Sequence, residues 1–122
     1  MKKMMILMVL FLFAGVSLVF AHPPKDMQLS YDKEKGILHI EMSHVTNNVL
    51  KHNIRQIEVI KNAEEPILLH YVKQTTPQKQ IEDVEIKAVV GDVISVDAVC
   101  SVAGSEKQSI TIEEEKPKEE VK

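Results

Sequence analysis

The stretch that decides the fold is residues 37–43, Ile-Leu-His-Ile-Glu-Met-Ser. Its apolar side chains fall at positions 38, 40 and 42, and polar side chains fill the positions between them. Successive side chains of a β-strand point to opposite faces, so this period of two predicts a strand with one buried and one solvated face. His39 lies on the solvated face and is predicted to be a surface residue.

The same alternation recurs in short windows on both sides of this stretch, and turn-forming residues separate the windows. No segment shows a helical period of useful length. Seven short strands of this kind predict an all-β chain, an antiparallel β-sandwich of immunoglobulin-like type. The predicted strands are 27–31, 37–43, 54–60, 67–73, 82–90, 93–100 and 109–113. The one break in the pattern, residues 45–51, predicts a loop long enough to carry function.

Both ends of the chain differ in composition from this central region. Residues 1–21 begin with two lysines, continue with an uncharged apolar run and end in small residues, which predicts a signal peptide cleaved after Ala21. A periplasmic or secreted protein follows from this. The alternative is an uncleaved anchor, because the run is just long enough to span a bilayer. Residues 22–113 are the predicted β-sandwich domain, and the charged residues 114–122 predict a disordered tail.

Length, charge and cysteine content narrow the functional classes. Removing 21 residues from the 122 leaves 101, enough for one modest core. Thirteen basic residues then face 18 acidic ones, a net charge near −5, which argues against nucleic acid and anionic membranes as partners. The single cysteine, Cys100, excludes an internal disulfide. Its thiol is predicted to be buried, bound to a metal or paired between chains.

Five histidines and one cysteine make a metal site the first chemistry to consider. His39 and His70 alternate with apolar neighbours along strands, so both are predicted to be surface residues. His44 and His52 lie where strands meet the irregular loop, and Cys100 lies at the end of a strand. On composition alone, Cys100 is equally well explained as a small buried hydrophobe.

Three segments carry a resemblance to a known family. They are HPPKDMQLSYD at 22–32, SHVTNNVLKHNIRQIEV at 43–59 and GDVISVDAVCSVAG at 91–104. In this order and spacing they resemble the iron domain of superoxide reductase, also called desulfoferrodoxin. That family has an H-x-P segment, two central histidines and a strand that runs into C-N-x-H-G. The last two segments are moderately specific as a pair, and each is weak alone.

The resemblance implies a mononuclear, non-haem iron site at one end of the sandwich. Four histidine nitrogens surround the iron in the family, a cysteine thiolate binds axially, and the sixth position is open to superoxide. By this match His44 and His52 are the central ligands, Cys100 is the axial ligand, and His22 is the histidine of the opening segment. Imidazole suits Fe(II), and a thiolate opposite the open position favours reduction of superoxide to peroxide. The electron donor is not indicated.

The chain departs from the family pattern at several positions. Ala103 stands where the family has the histidine of C-N-x-H-G, and Ser101 replaces the asparagine. Val45 replaces a common proline, and the Glu-Lys pair before the opening histidine corresponds to residues 20–21, inside the signal peptide. The lysine that would attract an anion is therefore missing from its expected position. These departures leave open a non-catalytic immunoglobulin-like binding or scaffold module with a decayed metal site.

Cleavage after Ala21 offers a replacement for the missing nitrogen. His22 would become the first residue, and its free amine and imidazole could chelate one metal together. Pro23 lacks an amide proton, which excludes a competing mode of copper binding through successive backbone amides. Zinc is chemically compatible with histidines and a thiolate. A cupredoxin-like copper site is disfavoured, because no histidine or methionine follows Cys100 at short spacing.

Overall fold

The computed structural model describes residues 23–114. The predicted signal peptide, His22 and residues 115–122 of the predicted tail lie outside the described residues. Seven strands form within this range: β1 (Lys25–Asp32), β2 (Ile37–Ser43), β3 (Ile54–Lys61), β4 (Ile67–His70), β5 (Lys79–Glu85), β6 (Val93–Cys100) and β7 (Ser105–Thr111). No helix in residues 23–114 is long and apolar enough to cross a membrane.

The strands form two sheets in which all neighbours are antiparallel. One sheet has the order β1-β2-β5 and the other the order β4-β3-β6-β7. This division matches the immunoglobulin sandwich, in which strands A, B and E lie in one sheet and C, F and G in the other, with β4 paired beside β3 as an added strand beside C. The predicted all-β, immunoglobulin-like sandwich is therefore confirmed.

The core lies between the two sheets and is built by alternation along each strand. In β2 the side chains of Leu38, Ile40 and Met42 are fully buried, while the residues between them are partly exposed. The facing sheet buries the corresponding positions of β3 and β6. The cysteine forms no disulfide, so apolar packing holds the two sheets together. Core residues from the second sheet are Ile54, Ile57, Val59, Ile94, Val96 and Ala98.

The connection between β4 and β5 differs from the predicted strands 67–73 and 82–90. β4 ends at His70, and β5 runs from Lys79 to Glu85. Beyond β5, the Tyr31 hydroxyl donates to the Ile86 carbonyl at 2.8 Å and accepts from the Ala88 amide at 2.9 Å. Tyr31 thus takes the hydrogen bonds that a longer β5 would use at its C-terminal end. Residues 71–78 form the loop between β4 and β5.

The last strand also differs from its predicted range of 109–113. β7 begins at Ser105, because a short turn after β6 lets Ser105 pair with Val99 at once. Its residues are mostly polar and exposed, as on the solvated edge of a sheet. An edge strand of this composition has too few apolar residues for alternation to reveal where it begins.

Two interruptions in strand pairing lie at the same end of the sandwich. The β1–β2 register shifts between Lys25 and Gln28, next to the end of β2. The β3–β6 register shifts between Ile54 and Gln56, where Ile54 pairs with Cys100. Such bulges reorient side chains at strand ends and are common beside functional sites. This end of the sandwich is where the predicted ligands lie.

Candidate metal centre

Three of the predicted ligands converge at this end. His44, His52 and Cys100 each offer a donor atom, and these atoms all lie within 4.8 Å of one another. The two imidazole rings stand edge to face, with centroids 4.8 Å apart and planes at 87°. His44 and Cys100 are almost completely buried, at 2% and 3% exposure, and His52 is partly buried. Residues that are 56 positions apart in sequence therefore form one compact donor cluster.

The loop of residues 44–53 positions both histidines. Immediately after β2, the His44 amide donates to the Gln78 carbonyl at 2.9 Å. Asn48 then closes a turn: its side-chain oxygen accepts from the Leu50 amide, and its carbonyl accepts from the His52 amide at 2.8 Å. Asparagine favours such turns because its side chain can hydrogen-bond to the backbone two residues on. The turn folds His52 back towards His44.

The end of β6 positions the thiol. The Cys100 amide donates to the Gly104 carbonyl at 3.0 Å, which closes the turn between β6 and β7. The Ser101 hydroxyl accepts from the Asn53 amide at 3.0 Å and donates to the Lys51 carbonyl at 3.1 Å. Ser101, which replaces the asparagine of the family pattern, thus ties the cysteine turn to the histidine loop.

A buried glutamine that the sequence analysis did not single out contacts His44 directly. Gln74 is 1% exposed, and its Oε1 lies 2.6 Å from His44 Nδ1. Its Nε2 donates to the His44 carbonyl at 2.6 Å and to the Thr76 carbonyl at 2.8 Å. The only sequence signal was the loss of alternation after position 73, because glutamine is ordinarily a surface residue.

The donor set fits a metal ion. His44 Nε2 is buried and has no hydrogen-bond partner, although buried polar atoms are nearly always paired. Zinc binds histidine nitrogen at about 2.0–2.1 Å and thiolate sulfur at about 2.3 Å, so two ligands of one tetrahedral ion lie about 3.3–3.6 Å apart. The donor atoms lie within 4.8 Å of one another, so side-chain rotations of about 1 Å would bring them to this separation. Imidazole and thiolate suit zinc and iron alike.

A cavity of about 380 Å³ opens beside His44 and is lined by Pro23, Lys25, Ser43, His44 and Val45. Lys25 therefore brings a cationic side chain to the entrance, although the family's lysine position falls in the predicted signal peptide. Two larger cavities, of about 590 and 460 Å³, lie around Tyr31 at the opposite end of the sandwich. Neither contains a donor cluster, so the smaller cavity is the relevant one.

The remaining sequence predictions fall away from the cluster. His39 lies on the outer face of β2, 2.5 Å from Asp83, and His70 is exposed at the end of β4, so both are surface residues as predicted. Ala103 is exposed in the turn after Cys100 and offers no donor atom. Within residues 23–114 no fourth histidine, cysteine or carboxylate joins the cluster. The predicted ligand His22 lies outside the described residues.

Comparison with known proteins gives matches to solved structures. The chain is similar to superoxide reductases. A superoxide reductase (neelaredoxin) from Ignicoccus hospitalis is 17% identical, with 82% of this chain and 89% of that chain covered and a TM-score of 0.46. A superoxide reductase from Nanoarchaeum equitans is 12% identical, with coverage of 75% and 93% and a TM-score of 0.43. No protein-family model and no curated protein matches the chain.

Proposed function

We propose that this chain is a secreted, metal-binding domain of superoxide reductase type. His44, His52 and Cys100 would hold a mononuclear metal ion, most favourably iron. The observation that carries the proposal is the convergence of these three donors, with a buried His44 Nε2 that has no hydrogen-bond partner. A merely packed cysteine has no need of two histidines within 4.8 Å.

The motif resemblance favours iron over zinc and superoxide as the substrate. Bound ferrous iron would supply one electron, which together with two protons converts superoxide to hydrogen peroxide, and an external donor would restore the electron. The residues of this chain bind the ion, bury the thiolate and leave one approach beside His44. Lys25 lines that approach, and a cation there raises the local concentration of a small anion.

The start of the mature chain would supply the third and fourth protein nitrogens of the proposed site. Pro23 lines the cavity beside His44, and the next residue towards the N-terminus is His22. We include the imidazole and free amine of His22 in the proposed ligand set, conditional on cleavage after Ala21. Mass spectrometry of the secreted protein tests this part, since any other first residue removes the amine from reach of the ion.

The decisive experiment measures metal content and a thiolate signature. The chain starting at His22 is loaded anaerobically with Fe(II), freed of excess metal and then oxidised. We expect stoichiometric iron and a visible thiolate-to-iron charge-transfer band. Both should persist in His70→Leu, which alters an exposed histidine outside the cluster. Cys100→Ser should lose the band, and protein that retains no metal would contradict the proposal.

Catalysis is tested separately from binding. Iron-loaded protein should consume superoxide. Lys25→Gln should slow this reaction by a factor that shrinks as ionic strength rises, because screening weakens the attraction between Lys25 and the anion. Lys107→Gln, on the exposed edge strand β7, should leave the rate unchanged. Metal binding without superoxide consumption would rule out the reductase and leave a second candidate, a non-catalytic metal-binding module. The exposed Ala103 in place of a ligand histidine favours that candidate.

A further inference from the structure

The contacts of Gln74 have a chemical consequence for His44. The Nε2 group of Gln74 lies within 2.6 Å of the His44 carbonyl and 2.8 Å of the Thr76 carbonyl. Both partners are acceptors, so the amide nitrogen must face them and the amide oxygen must face the histidine ring. The orientation of the Gln74 side chain is therefore fixed by backbone groups on both sides of it.

The amide oxygen can only accept a hydrogen bond. It lies 2.6 Å from His44 Nδ1, so that nitrogen must carry the proton. In a neutral imidazole the other nitrogen then holds the lone pair. The lone pair of His44 is thus placed on Nε2, the buried atom that has no hydrogen-bond partner.

We propose that Gln74 is the positioning residue of the metal centre: it holds His44 in the tautomer whose Nε2 is free to bind a metal ion. This inference rests on the proposed metal binding by His44. Gln74 does not touch the ion. It acts through the histidine, and its backbone amide also donates to the Val49 carbonyl at 3.1 Å, which fixes the glutamine to the histidine loop.

The first measurement needs neither a metal nor a variant. Nitrogen-15 shifts of the imidazole in metal-free protein, at about pH 8.5 where an ordinary histidine is neutral, report which ring nitrogen is protonated. We expect His44 to carry its proton on Nδ1. A proton on Nε2 would overturn the proposal, and it would do so whether or not the protein binds metal.

The second measurement uses a matched pair of variants. Gln74→Met keeps the volume of the side chain and removes its amide. Gln108→Met makes the same change at an exposed glutamine of the edge strand β7, away from the donor cluster. Co(II), whose visible spectrum reports thiolate and imidazole ligands, is the probe. Its affinity should fall about 10–100-fold in Gln74→Met, as for other groups that orient metal ligands, and should stay unchanged in Gln108→Met.

The outcomes separate this inference from the proposed function. Equal Co(II) affinity in the two variants would overturn the role of Gln74 and leave the metal site intact. No Co(II) binding by the wild-type chain would overturn the proposed function, while the tautomer measurement would still decide what Gln74 does. If Gln74→Met does not fold, the tautomer measurement on the unaltered protein still decides the inference, because a His44 that carries its proton on Nε2 contradicts it.

Discussion

The two ends of the sandwich are closed in different ways. At the end that holds the metal cluster, the loops are joined by buried polar side chains. At the opposite end, Asn62 and Asp92 join the turns through exposed hydrogen bonds. All buried polar residues of the described chain lie in loops or at strand ends of the end that holds the metal cluster. They are His44, Thr46, Asn53, Gln74 and Gln80.

Burying polar groups costs free energy unless each is hydrogen-bonded, so a fold gains nothing by collecting them at one end for stability alone. The opposite end reaches a closed structure with ordinary turn residues. The difference teaches that the polar end is constrained by something other than folding. Four comparisons test that contrast, in decreasing order of the difference expected between the two ends.

A bound metal ion should stabilise the end that holds His44, His52 and Cys100 and should not depend on the Asn62 end. At a free concentration of 100 times the dissociation constant, binding adds about 2.7 kcal/mol, or about 10–20 °C in the melting temperature of a domain of this size. Calorimetry with and without Co(II) measures this shift. Cys100→Ser should lose most of it, and Asn62→Gly should keep it. A similar shift in Cys100→Ser would mean that the ion binds elsewhere.

Substitution of Asn53 at the metal end and of Asn62 at the opposite end compares the stability of the two ends without metal. Asn53 is 4% exposed and its Nδ2 donates to the Val49 and Val72 carbonyls, at 3.0 and 3.2 Å. Asn53→Ala removes both bonds; the Val49 carbonyl keeps the Gln74 amide as a donor, whereas the Val72 carbonyl loses this partner, so the free energy of unfolding should fall by about 1–3 kcal/mol. Asn62→Gly accommodates the positive φ of 56° and removes only exposed bonds, so it should cost about 1 kcal/mol. Urea unfolding gives both values, and equal costs would contradict the contrast.

Gly104 at the metal end and Gly91 at the opposite end allow a second comparison of stability. Gly104 has φ +88°, and a Cβ there would lie 2.7 Å from the Cβ of Pro23. Gly91 has φ +95°, with no atom within 4 Å of the added carbon. Alanine should cost about 1–2 kcal/mol at either site through backbone strain, and about 1 kcal/mol more at position 104. Only Gly104→Ala should also displace Pro23 and weaken metal binding; unchanged affinity would argue against His22 as a ligand.

Acid should weaken the opposite end through Asp92. The Val89 amide and then the Asn62 side chain donate to Asp92 and lower the pKa of its carboxyl. A carboxyl with a lowered folded-state pKa stabilises the protein above its ordinary pKa, and this contribution is lost as the pH falls below about 4. Asp92→Asn should flatten that part of the stability curve, as followed by circular dichroism. The same slope in the variant would place the acid-sensitive group elsewhere.

Alternation in the sequence was sufficient to predict the sandwich, because each buried position of β2 and β6 follows from a period of two. His44 and His52 were predictable as candidates because they sit at strand ends beside an irregular loop, whereas Cys100 was predicted as a ligand only through the motif resemblance. Gln74 was not predictable, since its role depends on two carbonyls and an imidazole ring that come together only after folding. The limits of β5 were missed for the same reason. Thr76 Oγ1 accepts from the Lys79 amide where β5 begins, and the Tyr31 hydroxyl bonds to residues 86 and 88 beyond its end, so side-chain hydrogen bonds rather than apolar content set both limits.

The burial of Cys100 makes its thiol a reporter of local opening at the metal end of the sandwich. The chain contains one cysteine, and the thiol is 3% exposed at the junction of the turn after β6 and the histidine loop. A bulky thiol reagent can react only when these loops separate, so its rate reflects the equilibrium between closed and open forms of this end alone. Local opening can thus be followed at a single atom, without unfolding the sheets.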